Sequence, residues 1–334
     1  MVPAVTTSPF SAAADRSKLD LPKLGVGTWA WGDKSTWGMG GYDADLSEQT
    51  IEEAWDASLA AGVTLFDTAE VYGNGESERI IGTLLKRDPE RTRDVVIATK
   101  WFPAPWKLNV KGALLGSLRA SLGRLGLPSV DLYQIHGPIS LRGHGALADA
   151  LAAAHAEGLV KHVGVSNYSA KECRSIDGEL RSRGLRLATN QIEFSLLRRA
   201  PETGGLLATC DELGVVPLAY SPIGQGRLTG KYTAANPPPG SRNFSNHPME
   251  QVDEVVAVLR RIGEAHGGKT PSQVALNWLI AKGAVPIPGA KNRKQAEENA
   301  GALGWSVDAD DLAALDAAAL TEKKSLQNRF WQHG

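Results

Sequence analysis

The sequence predicts an α/β protein, a single-domain (β/α)8 TIM barrel with a long loop after strand 7, and three observations support this fold class. Short β-rich runs recur eight times, helical patterns separate them, and no internal repeat or change of composition marks a domain boundary. Strands that alternate with helices pair in parallel, and eight strand and helix units close a barrel. A chain of 334 residues is long enough for one barrel with a large core.

The eight predicted strands are, in chain order, KLGVGTW, VTLFDTA, DVVIATK, VDLYQIH, VKHVGVSN, LATNQIEF, VVPLAYSP and AVPIPGA. An open doubly wound sheet is the alternative for such an alternating pattern. Gly25, Gly27 and Ala30 match the GxGxxA pattern of dinucleotide-binding sheets. A long Gly-rich loop follows these residues where that motif requires a helix, so the sequence favours the barrel.

Amphipathic helices are predicted between the strands. Val110, Leu114 and Leu118 recur at the spacing of one helical face. Thr270 opens a TPSQ motif, which supplies an N-cap, a proline in the first turn and the third position of a capping box. Both patterns predict helices that lie against the barrel.

The barrel is predicted to span residues 21–320, between an N-terminal tail (1–20) and a C-terminal tail (321–334). The N-terminal tail is rich in Ala, Ser and Thr and lacks the apolar core of a signal peptide, so it is either a flexible tail or the remainder of a transit peptide. Residues 224–248 are the longest irregular stretch, and they predict a functional loop. Their glycine spacing does not match a phosphate-binding P-loop.

Composition restricts the partners. The 36 basic and 37 acidic residues nearly cancel, so neither nucleic acid nor an anionic membrane is expected to bind, and no run of about 20 apolar residues predicts a membrane span. Cys173 and Cys210 lack metal-site spacing, and we expect no metal and no disulfide. We expect a soluble protein that binds a small molecule, as a monomer or weak homodimer.

Four ionisable residues fall where a barrel carries out chemistry. Asp67, Lys100 and His136 end the second, third and fourth predicted strands, and Tyr72 lies in the loop after the second. The carboxyl ends of barrel strands meet at one mouth. Each residue alone has an ordinary explanation, such as a turn cap or a strand-end lysine. Their joint position predicts a catalytic site.

These motifs make the chain resemble the aldo-keto reductase superfamily over about residues Leu21 to Leu320. The matching segments are DTAEVYG, ATKW, LYQIH, GVSN, NQIEFS, AYSPIGQGRLTGKY and PIPGAKNRKQAEEN. The segments GVGTWAWGDK, GALGWSV and KKSLQN are most similar to members from cyanobacteria and plastids. The resemblance implies NADPH-dependent reduction of aldehydes or ketones in the plastid stroma or the cytoplasm.

The resemblance also implies a role for each of the four residues. Tyr72 would donate a proton to the developing alkoxide. A free tyrosine has a pKa of about 10, so Lys100 is expected to make the phenol more acidic, and Asp67 to keep Lys100 charged and in place. His136 would orient the carbonyl oxygen. No side chain supplies a hydride, so a nicotinamide must lie across the same mouth.

The implied cofactor contacts begin at the nicotinamide. Ser166, Asn167 and Gln191 would hold its carboxamide, because amides and hydroxyls offer paired donors and acceptors. Tyr220 would stack on its ring. Strand-end capping is the structural alternative for the two amides.

The remaining implied contacts are Ser221, Gly224 and Arg227 in the loop Ser221 to Lys231, over the pyrophosphate, and Lys291, Arg293, Glu298 and Asn299 after the eighth strand. Lys291 and Arg293 would bind the adenosine 2′-phosphate and so favour NADPH. Glu298 and Asn299 would bind adenine. Two positions depart from the family pattern. Gln295 stands where many relatives carry arginine, and Arg227 stands where an apolar residue is common, either as a second phosphate ligand or exposed.

A substrate pocket is predicted from aromatic residues near the mouth, namely Trp29, Trp31, Trp101 and Phe102, with Trp37 and Trp106 close by in sequence. Together they predict an apolar pocket for aromatic or medium-chain aldehydes. Packing at the barrel rim is the alternative for each. The C-terminal SLQNRFWQHG segment is a candidate to close over this pocket.

Two other functions fit parts of the sequence. A cofactor-binding regulatory module of the same fold would keep the nucleotide site and turn over slowly. A barrel hydrolase would use Asp67 and Glu193 as a carboxylate pair, but it leaves Lys100, Tyr72 and the basic segment unexplained.

Overall fold

The computed structural model describes residues 19–32, 46–239, 245, 247–321 and 330–334. Eight parallel strands form one sheet in the order of the sequence, which confirms the predicted barrel. The strands are β1 (Gly25–Gly27), β2 (Leu65–Asp67), β3 (Val96–Trp101), β4 (Val130–Ile135), β5 (Val160–Ser166), β6 (Leu187–Glu193), β7 (Val216–Tyr220) and β8 (Val285–Pro286).

The sheet closes on itself between its first and last strands. A parallel bridge joins Gly27 to Gly289, and the Gly27 amide donates a hydrogen bond to the Pro288 carbonyl over 3.0 Å. A Cβ on Gly27 would lie 2.8 Å from the Ile287 carbonyl oxygen, so this close approach requires glycine. Trp31 adds a side-chain hydrogen bond across the same seam, from Nε1 to the Ala290 carbonyl (2.7 Å).

Helices cover the outside of the barrel. They are α1 (Glu48–Ala60), α2 (Glu76–Arg87), α3 (Val110–Leu125), α4 (His144–Ala156), α5 (Ala170–Arg181), α6 (Ala200–Thr203), α7 (Leu206–Leu213), α8 (Met249–Ala265), α9 (Pro271–Ala281), α10 (Arg293–Ala300) and α11 (Ala309–Ala318). Two 3-10 segments, Tyr72–Gly75 and Gly224–Thr229, follow β2 and β7. None of the helices in the described ranges is long and apolar enough to cross a membrane.

The helical patterns in the sequence have direct structural counterparts. Val110, Leu114 and Leu118 are buried along one face of α3. At the start of α9, Thr270 Oγ1 accepts a hydrogen bond from the Gln273 amide, and Gln273 Oε1 accepts one from the Thr270 amide. This is the predicted capping box, and it fixes where α9 begins.

Strand alternation separates two apolar layers. A small cluster that includes Leu65, Ala98 and Leu132 fills the inside of the barrel. A much larger cluster packs between strands and helices and includes Phe66 and Ile97. Successive strand residues face opposite sides of the sheet. Asp67, two positions after Leu65, and Lys100, two positions after Ala98, therefore point into the barrel at its mouth.

Candidate active site

Lys100 occupies the centre of the mouth. Its Nζ donates three hydrogen bonds, to Asp67 Oδ1 (2.5 Å), the Thr68 carbonyl (2.8 Å) and Tyr72 Oη (3.2 Å). Lys100 is fully buried and Asp67 is 1% exposed. An ammonium of this kind has three donors, so all of them are used, and the phenol hydrogen of Tyr72 is left to point away from Lys100.

A strained turn places Tyr72. Gly73, Asn74 and Gly75 all adopt left-handed backbone angles in the 3-10 segment after β2. A Cβ on Gly73 would lie 2.2 Å from the Gly32 carbonyl oxygen, so no other residue fits there without displacing the chain. The turn brings the phenol of a loop residue back over the strand ends.

Burial decides the protonation state of Tyr72. Desolvation raises the pKa of its phenol, and the Lys100 ammonium lowers it by less, so the pKa lies above its ordinary value of 10.0. The expectation that Lys100 makes the phenol more acidic is therefore correct for that pair but wrong for the net pKa. Burial lowers the pKa of Lys100, but Asp67 and Tyr72 together raise it more, so the net pKa is also above its ordinary value. Tyr72 is a neutral phenol beside an ammonium.

His136 faces the same space. Its ring lies edge-on to Tyr72, with centroids 5.7 Å apart, and contacts Phe102 and Trp331. Burial, together with the Lys100 charge, holds the pKa of His136 well below 6.5, so the imidazole is neutral. Its Nδ1 atom is buried with no hydrogen-bond partner among the described residues.

Four polar residues form a linked cluster beside the mouth. Ser166 Oγ donates to the Gln191 carbonyl (2.9 Å), and Asn167 Nδ2 donates to Ser166 Oγ (3.2 Å). Tyr220 Oη donates to Asn167 Oδ1 (3.0 Å). Asn167 has a left-handed φ of 65°, which asparagine tolerates better than most residues. Gln191 Nε2 donates to Asp67 Oδ2 (2.8 Å), which connects the cluster to Lys100.

The loop after β7 combines left-handed backbone with a buried cation. Ser221, Gly224, Gln225 and Gly226 all have positive φ angles. Arg227 is 2% exposed, and its guanidinium donates to the carbonyls of Gly224 (2.9 Å) and Ser245 (2.7 Å). The alternative that Arg227 is exposed is therefore wrong, because the side chain holds the loop from inside.

The segment after β8 is organised by amides. Gln295 Oε1 accepts a hydrogen bond from the Lys291 amide (3.0 Å), and Asn299 Nδ2 donates to the Gly289 carbonyl (3.1 Å). Arg293 is exposed in the first turn of α10. Glu298 accepts a hydrogen bond from Thr270 Oγ1, so its carboxylate is directed to the start of α9. That contact gives Glu298 a structural role.

Two of the predicted pocket residues lie in the layer between the strands and the helices. The assignment of both to the substrate pocket is wrong. Trp31 is fully buried and packs against Trp55 and Phe66 in the layer under the helices. Trp101 is also fully buried in this outer layer, because Lys100 faces inward and the next strand residue must face outward.

Phe102 and the C-terminal segment lie at the mouth. Phe102 stacks on Trp331, with centroids 5.9 Å apart, and both contact His136. Trp29 is half-buried at the end of β1, and Trp37 lies outside the described residues. The sequence made this segment only a candidate to close over the pocket, because SLQNRFWQHG carries no periodic pattern that would show where its side chains lie.

Gln332 connects that segment to a buried carboxylate. Its Nε2 donates to Tyr220 Oη (2.9 Å) and to Glu193, which also accepts a hydrogen bond from Ser245. Desolvation raises the pKa of Glu193 despite these donors and the Arg198 charge. The carboxylates of Glu193 and Asp67 bind separate partners: Glu193 accepts from Gln332 and Ser245, and Asp67 accepts from Lys100 and Gln191.

Comparison with known proteins places this chain in a family. Residues 23–320 match the sequence model of the Aldo/keto reductase family. The chain is 37% identical over 325 residues to a chloroplastic pyridoxal reductase of Arabidopsis thaliana, covering 94% of this chain and 87% of that protein. It is 32% identical over 321 residues to the L-glyceraldehyde 3-phosphate reductase of Escherichia coli K12, covering 90% of both chains.

A solved structure has the same fold. It is an aldo/keto reductase from Klebsiella pneumoniae in complex with NADP and acetate, with a TM-score of 0.68 and 26% sequence identity. The alignment covers 91% of this chain and 93% of that one.

Proposed function

Because the chain belongs to the aldo/keto reductase family, we propose that it is an NADPH-dependent reductase that converts aldehydes and ketones to alcohols, with Tyr72 as the proton donor. Membership makes it an NAD(P)H-dependent oxidoreductase. The observation that carries the finer proposal is the buried chain from Asp67 through Lys100 to Tyr72, with neutral His136 facing the same space.

The chemistry of these residues follows from their charges. The neutral imidazole of His136 donates a hydrogen bond to the substrate oxygen without adding a charge to the mouth. Tyr72 transfers its proton to that oxygen as negative charge develops there. The Lys100 ammonium, held by Asp67, then lies 3.2 Å from the phenolate oxygen and stabilises it.

The donor groups of the chain fit a nicotinamide dinucleotide. Ser166, Asn167 and Gln191 present amides and a hydroxyl of the kind that pairs with a carboxamide, and the Tyr220 ring adjoins them. Bound NADPH supplies the hydride. At the other end, the loop after β8 and the first turn of α10 provide the setting in which barrels bind phosphate.

We expect Lys291→Ala combined with Arg293→Ala to weaken NADPH binding about tenfold or more, because each cation contributes a charge-assisted contact to the 2′-phosphate. NADH lacks that phosphate, so its affinity is expected to stay within about twofold. Fluorescence titration of both nucleotides measures the two dissociation constants.

Lys294→Ala is the matched control for this pair, because Lys294 is an exposed cation in the same turn of α10 and has no proposed contact. Its NADPH affinity is expected to match that of the wild type. Equal weakening of NADPH and NADH in the double variant would contradict the 2′-phosphate assignment.

We propose aromatic aldehydes as the preferred substrates. Phe102 and Trp331 place two stacked rings beside His136, which favours a planar ring in the pocket. The 37% identity to a pyridoxal reductase points to the same class, because pyridoxal is an aromatic aldehyde.

The test is NADPH oxidation by the purified chain over pyridoxal, benzaldehyde and straight-chain aldehydes, with NADPH binding measured in parallel. We expect turnover, with the highest kcat/KM for an aromatic member. NADPH binding without turnover on any carbonyl would favour the regulatory module. Turnover restricted to aliphatic aldehydes would reject only the aromatic pocket.

A further inference from the structure

The Asp67 carboxylate has a second set of partners besides Lys100. Oδ1 accepts from Lys100, and Oδ2 accepts from two amides, Gln191 Nε2 at 2.8 Å and Gln134 Nε2 at 3.2 Å. A buried carboxylate needs donors on both oxygens, because unpaired buried charge is costly. Gln134 is thus in contact with the charge that holds Lys100.

Gln134 is oriented from the opposite side by Thr189. Thr189 Oγ1 donates to Gln134 Oε1 over 3.2 Å, which leaves the Nε2 end of the amide to face Asp67. Without that hydroxyl, Gln134 Oε1 would lose its donor, and the amide would be oriented by Asp67 alone. The two residues belong to β4 and β6, so a third strand lies between them.

Gly164 of β5 makes room for this contact. It pairs in register with Gln134 on one side and Thr189 on the other. A Cβ at this position would lie 2.1 Å from Thr189 Oγ1 and 3.0 Å from Gln134 Cγ. The contact therefore spans three strands, and the middle one must carry glycine for it to form.

The two amides that bind Asp67 differ in what else they can reach. Gln191 adjoins the Ser166 and Asn167 cluster, where the nicotinamide carboxamide is proposed to bind. Gln134 is fully buried, and its own oxygen is taken by Thr189. If Gln191 turned to a bound nicotinamide, Gln134 would remain as an amide donor to Asp67 Oδ2.

We propose that Gln134, oriented by Thr189 through the gap at Gly164, is a positioning residue that keeps the Asp67 carboxylate directed at Lys100 during proton transfer. It touches neither substrate nor cofactor and acts through Asp67. The inference rests on the proposed reductase function for its effect on rate, but the contact itself is testable without turnover.

The kinetic test uses Gln134→Met, which keeps the volume of the side chain, and Thr189→Val, which keeps its shape. Gln134→Met is expected to lower kcat about tenfold or more, the order expected for a lost hydrogen bond to a charged group. Thr189→Val is expected to lower kcat by roughly three- to tenfold, the order expected for a lost bond between neutral groups. KM for NADPH and for the aldehyde is expected to stay within about twofold, because the lost interaction acts in the transition state. Thr189→Ser keeps the hydroxyl and is expected to restore kcat.

Thr209→Val is the matched control, because Thr209 is a buried threonine in α7 whose hydroxyl bonds the Gly205 carbonyl and accepts from Arg174. It removes a buried hydroxyl away from the mouth and is expected to leave kcat unchanged. Wild-type kcat in both Gln134→Met and Thr189→Val would overturn the proposal, as would a kcat loss in Thr189→Ser equal to that in Thr189→Val.

A double-mutant cycle in unfolding equilibrium separates this inference from the proposed function. Gln134→Met and Asp67→Asn, singly and combined, are expected to show coupling of about tenfold in the unfolding constant, since the two side chains are in direct contact. If the wild type turns over no carbonyl, the proposed function fails and the cycle alone decides. Coupling below about twofold would then overturn the role of Gln134.

Discussion

Tyr72→Phe is expected to lower kcat for carbonyl reduction about 10³-fold, because general-acid catalysis contributes roughly 10²- to 10⁴-fold and no other neutral donor is bonded to Lys100 in the described residues. NADPH affinity is expected to be unchanged, since the hydroxyl is directed at the substrate oxygen. The pKa of Tyr72 is raised and that of His136 is well below its ordinary value, so both groups keep one protonation state through neutral pH. The wild-type kcat is therefore expected to be flat from about pH 7 to pH 9.

Tyr133→Phe is the matched control for the loss of a buried hydroxyl. Tyr133 lies on β4, next to the strand that carries Lys100, and is fully buried. Its hydroxyl has no hydrogen-bond partner among the described residues. Removing such a group is neutral or stabilising, so its kcat is expected to equal that of the wild type. Equal rates in wild type and Tyr72→Phe would remove Tyr72 from the mechanism.

Lys100→Met is expected to abolish turnover and also to destabilise the fold by about 3–5 kcal/mol, because it leaves the buried Asp67 carboxylate without its ion-pair partner. Tyr72 would lose its ammonium neighbour at the same time, so the phenolate would form without a stabilising charge. Denaturant unfolding and steady-state kinetics on the same preparation measure the two effects.

Two further variants separate stability from catalysis. Lys100→Met combined with Asp67→Asn removes the uncompensated charge, so the double variant is expected to regain much of the stability but none of the turnover. Lys282→Met is the control for the loss of an ion-paired lysine in general. Lys282 bonds the carboxylates of Glu202 and Asp316 nearer the surface. Recovery of activity in the double variant would contradict a direct role for Lys100.

The parts of the site that could be predicted from sequence are those set by strand ends. Asp67 and Lys100 close apolar runs, and the barrel topology alone brings such ends together. The net pKa of Tyr72 could not be predicted, because it depends on how completely the turn after β2 buries the phenol.

The pocket aromatics show where sequence reasoning lacks information. The side of the sheet that Trp101 faces follows from the inward direction of Lys100, so the outward position of Trp101 is predictable from the sequence. Trp31 lies beyond the end of β1, where no alternation applies, and it is buried by tertiary contacts with Trp55 and Phe66 and bonded to Ala290 across the seam. Gln134 was visible in LYQIH, but its bond to Asp67 depends on the register of β4 against β5 and β6.

The seam between β1 and β8 has a consequence for synthesis on the ribosome. The bond from Trp31 to Ala290 joins positions 259 residues apart, so at translation rates of roughly 5–20 residues per second β1 has one free edge for about 10–50 seconds. A free strand edge is a template for pairing with other chains. Here β1 has only three residues, two of them glycine. Until β8 emerges, the nascent chain therefore offers only a short edge that pairs weakly with other strands.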